Sequence, residues 1–121
     1  MYQTAAALKA FFSGFGLPAY QEGSVPDDVE LPYNSYSVVE PEWNQKASNW
    51  FRVWDRTTTN TGLIRIADQI TAAISEQKRI PLTGGHLVLW PETPNAQIQA
   101  DGDFRYAYVN YSINSYHLPG V

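Results

Sequence analysis

Two histidines and two short motifs are the residues of this chain whose types could support catalysis or metal binding. His86 alternates within an apolar segment and His117 lies near the last residue, so neither has a ligand or nucleophile partner at a motif spacing. Asp101-Gly-Asp103 lacks the other ligands of a calcium loop, and Asp-Gly is the strongest short hairpin signal. Thr83-Gly-Gly85 lacks the ending of a phosphate-binding loop. We therefore predict no catalytic residue, no metal site and no cofactor, and expect that the protein is not an enzyme.

An acidic segment without a single basic residue covers residues 22–30. Its acidic side chains are Glu22, Asp27, Asp28 and Glu30. Gly and Pro interrupt it, which is typical of an exposed loop. Two interpretations stay open: a cluster of carboxylates, or the solvated peripheral loop that the Gly and Pro residues favour.

Two alternating segments place aromatic and polar side chains on the faces of predicted strands. In the segment Trp50 to Thr58, one face carries Trp50, Arg52, Trp54 and Arg56. In the segment Phe104 to Tyr116, one face carries Tyr106, Tyr108 and Asn110. Arginine side chains stack on tryptophan rings, so the Trp and Arg side chains of the first face could contact one another on an exposed surface that binds no partner. That face could equally be a contact face, because Trp and Arg are frequent interface hot spots.

Helical and strand patterns position these side chains. A helix over residues 4–16, with Thr4 as its cap, carries Leu8, Phe11, Phe12 and Phe15 at helical spacing. A second helix over 62–77 follows capping residues 59–61. Strands are predicted at 19–21, 33–40, 50–58, 86–90 and 104–116, with breaks at Pro41 and at Pro91 to Pro94.

The order helix, strands, helix, strands predicts one α+β domain over residues 1–121. We expect a mostly antiparallel sheet with two amphipathic helices packed on one face. The opposite face would then carry the Trp, Arg, Tyr and Asn side chains, and the four-residue tail after His117 would be mobile.

The composition excludes several classes of protein. Charged residues make up only 17% of the chain, against about 25% in ordinary domains, while aromatic residues reach 14%. The chain has no cysteine, so disulfides and thiolate metal sites are excluded. Its net charge of −4 argues against a DNA-binding protein with a basic surface, and no apolar run approaches the length that spans a membrane. A surface poor in charge and rich in aromatic residues favours a subunit of an assembly.

A series of short motifs in order along most of the chain resembles one family of viral proteins. These motifs are Phe15-Gly-Leu-Pro-Ala-Tyr20, Val25-Pro26, Leu31-Pro-Tyr33, the helix Gly62-Leu-Ile-Arg-Ile-Ala-Asp-Gln-Ile70 and Gly85-His-Leu-Val-Leu-Trp-Pro91. The series is similar to small virion proteins of long-tailed bacteriophages, known as tail terminator, tail completion or minor capsid proteins.

The resemblance implies a structural role with no catalytic residue. Such proteins form a homo-oligomeric ring, usually a hexamer, at the head-proximal end of the tail tube. The ring ends tube polymerisation and serves in head–tail joining, so the expected partners are the tail tube protein and the head–tail connector or completion protein. DNA would pass through the lumen without specific binding, bordered by the acidic loop. The expected location is the phage tail within the virion, after assembly in the host cytoplasm.

Two other functions stay open. The chain could be the neighbouring head-completion or connector protein, which the sequence does not separate from a tail terminator. A sheet with exposed Tyr and Trp also fits a small carbohydrate-binding module, whereas the low basic content argues against single-stranded nucleic acid.

Overall fold

Two helices and six strands make up most of the described part of the chain, which in the computed structural model comprises residues 2–56, 60–76 and 79–117. The elements are α1 Tyr2–Phe12, β1 Ala19–Gln21, β2 Tyr33–Tyr36, β3 Lys46–Asp55, α2 Thr61–Ser75, β4 Arg79–Leu82, β5 Gly85–Asp101 and β6 Phe104–His117. The predicted positions 57–59, 77 and 118–121 lie outside the described residues. The fold is thus mixed α/β with two helices, as the element order predicts.

The six strands form one curled, mostly antiparallel sheet in the order β1-β2-β3-β6-β5-β4. Among the strand pairs of the described residues, β1 and β2 alone are parallel. The centre of the sheet is the β3–β6 pair, whose register is unbroken from Lys46 opposite Asn114 to Asp55 opposite Arg105. Helix α1 contacts both β1 and β4, the two edge strands, so it lies where the curled sheet would otherwise be open.

The first helix is built from strong helix formers and one apolar stripe. Ala5 to Ala7 favour helix, and Leu8 and Phe12 are fully buried one turn apart. A 3-10 turn, Ser13–Phe15, continues α1, and Gly16 ends it in the left-handed region at φ 83°. The predicted helix over 4–16 is therefore correct in place, but it begins at Tyr2 and its last turn is tighter.

One apolar cluster joins both helices to the sheet. The Phe12 ring stacks on Tyr36 at 5.0 Å between ring centres and also meets the rings of Phe51 and Tyr111. The cluster's largest other members are Leu8, Leu63, Ile70, Ile74, Leu87, Leu89 and Ile113. The inward face of the long predicted strand is confirmed, because Ala107, Val109 and Tyr111 are buried. The core therefore combines residues of both helices with alternate residues of the central strands.

The strand predicted over residues 33–40 ends early, at Tyr36. Beyond it, the side chain of Asn49 replaces the ladder: its Oδ1 accepts hydrogen bonds from the Val39 amide (2.9 Å) and the Ser37 hydroxyl (2.7 Å). Its Nδ2 donates to the Val39 carbonyl at 3.0 Å. A buried side-chain amide satisfies the same backbone groups that a strand would, so the β-branched residues here did not identify a strand end.

The predicted break at Pro91 to Pro94 is wrong, because β5 runs through it to Asp101. The ladder with β6 shifts register between Pro91 and Ala96 and then resumes. On its other side, β5 pairs with β4 only as far as Val88 within the described residues. Pro91 lies opposite Tyr111 in the β6 ladder, while on the other side of β5 no described strand lies beyond Val88, and an unpaired strand side of this kind tolerates proline.

The predicted helix caps are also wrong in detail. Thr4 lies inside α1, where it is buried and its Oγ1 donates to Glu40 Oε1 at 2.8 Å. Asn60 precedes α2 but makes no side-chain cap; its Oδ1 instead accepts from Arg105 Nη1 at 2.8 Å. Thr4 and Asn60 therefore form hydrogen bonds with residues distant in sequence instead of capping the helices.

A β-carbon at Gly85 should destabilise the fold strongly. It would lie 2.0 Å from the Tyr116 carbonyl oxygen and 2.8 Å from the Trp43 ring, and the first of these neighbours is backbone. We expect Gly85→Ala to lower the free energy of unfolding by about 3 kcal/mol or more, measured by urea denaturation. Gly62→Ala is the matched control, because nothing lies within 4 Å in α2 and alanine favours helix by about 0.5–1 kcal/mol. Equal effects of the two substitutions would contradict this close approach.

Replacing Tyr111 by phenylalanine should leave the fold as stable or more stable. Its ring is fully buried, its hydroxyl has no hydrogen-bond partner among the described residues, and burial raises the pKa of the phenol. Removing that hydroxyl relieves a desolvation cost of about 1–3 kcal/mol. Tyr111→Ala should instead cost about 3–5 kcal/mol through lost contacts. A clear loss of stability in Tyr111→Phe by thermal unfolding would reveal a partner for the hydroxyl.

Candidate functional site

The sheet register brings the two predicted aromatic faces together on one surface. Trp50 lies opposite Asn110, Arg52 opposite Tyr108 and Trp54 opposite Tyr106, all on the side of the sheet away from the apolar cluster. Tyr33 on β2 joins them, because it lies opposite Trp54. We name this surface the outer face and define it by Tyr33, Trp50, Arg52, Trp54, Tyr106, Tyr108 and Asn110. Each of these residues is partly buried and partly open to solvent.

Trp54 lies between two aromatic rings on the outer face. Its ring stacks on Tyr33 at 6.1 Å and 13° and contacts Tyr106 at 4.4 Å between centres. Its Nε1 donates to Ser35 Oγ at 3.0 Å. The indole is therefore held by a stacked ring, by a tilted ring and by a hydrogen bond, so it presents a fixed apolar surface.

Arg52 lies among the rings of the outer face. Its guanidinium carbon lies 5.3 Å from the ring centres of Tyr106 and Tyr108 and 5.8 Å from that of Trp54. The Arg52 Nε lies 3.7 Å from Glu22 Oε1, which is an ion-pair distance too long for a hydrogen bond. The side chain is 30% exposed. The predicted stacking of arginine on tryptophan is present, and two tyrosines extend it.

The acidic segment divides into two parts. Glu22 belongs beside the outer face, where its Oε1 also accepts from Ser35 Oγ at 3.1 Å. Burial of the Tyr33 phenol raises its pKa, the negative charge of Glu22 adds to the shift, and Arg52 opposes it. Asp27, Asp28 and Glu30 are exposed in the loop between β1 and β2, as the sequence predicts for that stretch. The structure therefore does not bring all four acids into one cluster.

Arg56 lies at the rim of the outer face. It follows the last residue of β3, is exposed, and its guanidinium carbon lies 5.0 Å from the Phe104 ring centre. It therefore continues the cation–aromatic contacts of the face to the end of the strand.

Sequence reasoning missed Trp90 as a neighbour of this surface. Trp90 on β5 lies opposite Ser112, which is buried although it points away from the core. The Nε1 atoms of both Trp50 and Trp90 are buried without a hydrogen-bond partner among the described residues. The only signal was the alternation of β5, which the predicted proline break obscured.

The residues considered for catalysis do not form a reactive site. The His86 ring stacks on Tyr116 at 5.2 Å, and the side chain of His117 lies outside the described part of the structure. Asp101 and Asp103 flank a turn with Gly102 at φ 62°. Within residues 2–56, 60–76 and 79–117 no three metal-type side chains cluster, and no helix there combines the length and apolarity that crossing a bilayer requires.

Three clefts in the described part of the molecule flank helix α1 and lie apart from the outer face. One lies between α1 and β4 and is lined by Ala6, Ala10, Phe11 and Ile80 among others. A second borders the residues 40–43, and a third lies between α1 and β1. None of the seven outer-face residues lines these clefts. The outer face thus acts as a broad surface of fixed rings, which suits contact with another surface.

Comparison with known proteins gives no family assignment, because no family model matches the chain and a search of the curated proteins finds no significant match.

Proposed function

We propose that this chain is a structural virion protein, a tail terminator or tail completion protein of a long-tailed bacteriophage. In this role copies of the chain form a ring, a hexamer by the resemblance of the sequence, on the head-proximal end of the tail tube. The ring stops tube polymerisation and joins the tail to the head. The observation that carries the proposal is the outer face: a broad aromatic surface, fixed by stacking, with few charges.

The chemistry of the outer face supports burial against protein. Trp, Tyr and Arg are the residue types that dominate interface hot spots, whereas Lys and Glu are depleted at interface centres. The outer face holds two Trp, three Tyr and a single Arg among its seven members, and the nearest acid is Glu22. A surface of this kind is costly to leave in water and favourable to cover.

We also infer that both helices cover the core face of the sheet, which leaves the outer face for partners. Phe12 of α1 and Ile70 of α2 belong to the same apolar cluster as Phe51 and Val109. A subunit in a closed ring needs two different lateral surfaces, plus one surface for the tube and one for the connector. In this arrangement the outer face serves as one of these contacts.

The acidity of the chain suits a ring through which DNA passes. Six copies would each contribute a net charge of −4, and a negative wall repels phosphate instead of releasing counterions by binding it. In this proposal the exposed acids Asp27, Asp28 and Glu30 border the lumen, with Glu22 anchoring the start of their loop. The protein is assembled in the host cytoplasm and resides in the virion, without membrane contact.

Truncating Trp54 should weaken assembly without unfolding the chain. A central interface Trp contributes ~2 kcal/mol or more, which corresponds to about a thirtyfold increase in the concentration at half-assembly. Sedimentation velocity of Trp54→Ala against the unchanged chain, alone and with the tail tube protein of its own phage, measures this shift.

The control for that variant is Trp43→Ala, which removes a 45% exposed indole away from the outer face. Assembly unchanged in Trp54→Ala at limiting concentration would exclude this residue from the contact. A chain that stays monomeric with and without tube protein contradicts the ring. If such a monomer also binds immobilised glycans, the protein is a carbohydrate-binding module instead. If the monomer joins particles at the head vertex alone, the protein is the head-completion protein.

Reversing the charge of the exposed loop should hinder DNA passage. Virions carrying Asp27, Asp28 and Glu30 all replaced by Lys are expected to eject DNA more slowly or to retain it, because a cationic wall binds phosphate. Ejection kinetics from purified virions measure the effect.

The matched control places the same charge change elsewhere. Asp68, Glu76 and Asp103 are exposed outside this loop, and their replacement by Lys should leave ejection unchanged. Normal ejection in the loop variant would place the acids on a peripheral, solvated surface.

A further inference from the structure

We infer that the outer face binds a carboxylate of a partner protein, an Asp or Glu side chain, through the guanidinium of Arg52. This inference rests on the proposed contact face and specifies its chemistry. It identifies Arg52 as the polar anchor of the contact and defines what the partner must present.

The guanidinium is held rigidly before any partner arrives. Rings of Trp54, Tyr106 and Tyr108 lie within 6 Å of its carbon, and 70% of the side chain is buried. The rings are held in turn, because Trp54 stacks on Tyr33 and makes a tilted contact with Tyr106. A side chain already ordered in this way loses little rotamer entropy on binding, and the neighbouring rings lower the local dielectric.

The orientation of the group leaves its outer edge free to bind. The Arg52 Nε is buried and faces Glu22 at 3.7 Å, without a hydrogen bond. No acceptor among the described residues bonds to either Nη atom, and neither Nη belongs to the buried donors without partners. Both Nη groups therefore retain access to solvent, and they form the parallel pair of donors that a carboxylate accepts in two hydrogen bonds.

The surroundings favour an anion that accepts hydrogen bonds. The chain's own acid, Glu22, is already shared between Arg52 and the Ser35 hydroxyl, so it only partly neutralises the guanidinium. A sugar hydroxyl would satisfy one donor at a time, whereas a carboxylate satisfies the pair and the charge together.

The test is a titration of the single chain with sodium acetate and glutarate, followed by NMR at constant ionic strength set with chloride. We expect saturable shifts of the Arg52 Nε–H and of the indole N–H signals of Trp50 and Trp54. Arg52→Lys keeps the charge but loses the planar pair of donors, so the affinity should fall by about tenfold.

A second variant moves the affinity in the opposite direction. Glu22→Gln removes the competing charge while its amide oxygen can still accept from Ser35. The affinity should then rise by up to about fivefold, which is the range of a partly exposed ion pair. Arg105→Lys is the matched control, because that guanidinium is bonded to Asn60 away from the outer face, and it should change nothing.

The outcomes separate this inference from the proposed function. Shifts equal to those in chloride alone, or affinities unchanged in both Arg52→Lys and Glu22→Gln, would overturn the carboxylate site even if the chain assembles. If acetate binds but the chain never assembles, the claim that a partner protein supplies the carboxylate is wrong. The same conclusion follows if excess glutarate leaves the concentration at half-assembly unchanged. Saturable shifts with neutral oligosaccharides and none with carboxylates would assign the face to sugar instead.

Discussion

The β3–β6 pairing is the constraint on which the rest of the molecule depends. Ten consecutive residue pairs in unbroken antiparallel register set which side chains point to the core and which point outward. Because side chains alternate, a shift by one residue would send Phe51 and Val109 to solvent and bury Arg52 and Tyr108 among apolar groups. The cost of that exchange fixes the register, and the register builds both the core and the outer face.

Both faces of this sheet carry aromatic residues, but the rings have a different role on each face. On the core side, the rings of Phe12, Phe51 and Tyr111 contact one another, and the Tyr111 hydroxyl has no hydrogen-bond partner among the described residues. On the outer side, the rings of Trp54, Tyr106 and Tyr108 surround a guanidinium, and the Trp54 Nε1 donates to Ser35. Aromatic residues suit both roles because each ring combines a large apolar surface with one polar group. The difference lies in whether the protein itself covers the ring.

Local patterns predicted most of the elements because hydrophobic periodicity reports burial directly. The stripes of both helices, the inward residues of β6 and the Asp101-Gly-Asp103 turn are confirmed. The errors fall where a tertiary partner replaces a local one. Asn49 ends β2 early, Arg105 takes the side chain of Asn60, and the unpaired side of β5 tolerates Pro91. None of these partners is near in sequence, so no local rule could identify them.

The sequence by itself determined which residues alternate and therefore which ones share a face of their own strand. Trp50, Arg52 and Trp54 share one face of β3, and Tyr106, Tyr108 and Asn110 share one face of β6. Only the tertiary structure decided that β3 and β6 are neighbours, so that these two sets become one surface and Tyr106 and Tyr108 flank Arg52. The tertiary structure also separates Glu22, which lies at the edge of that surface, from Asp27, Asp28 and Glu30, which are exposed to solvent. The physical reason is that alternation is a property of one chain segment, whereas strand pairing depends on the burial free energy of the whole core.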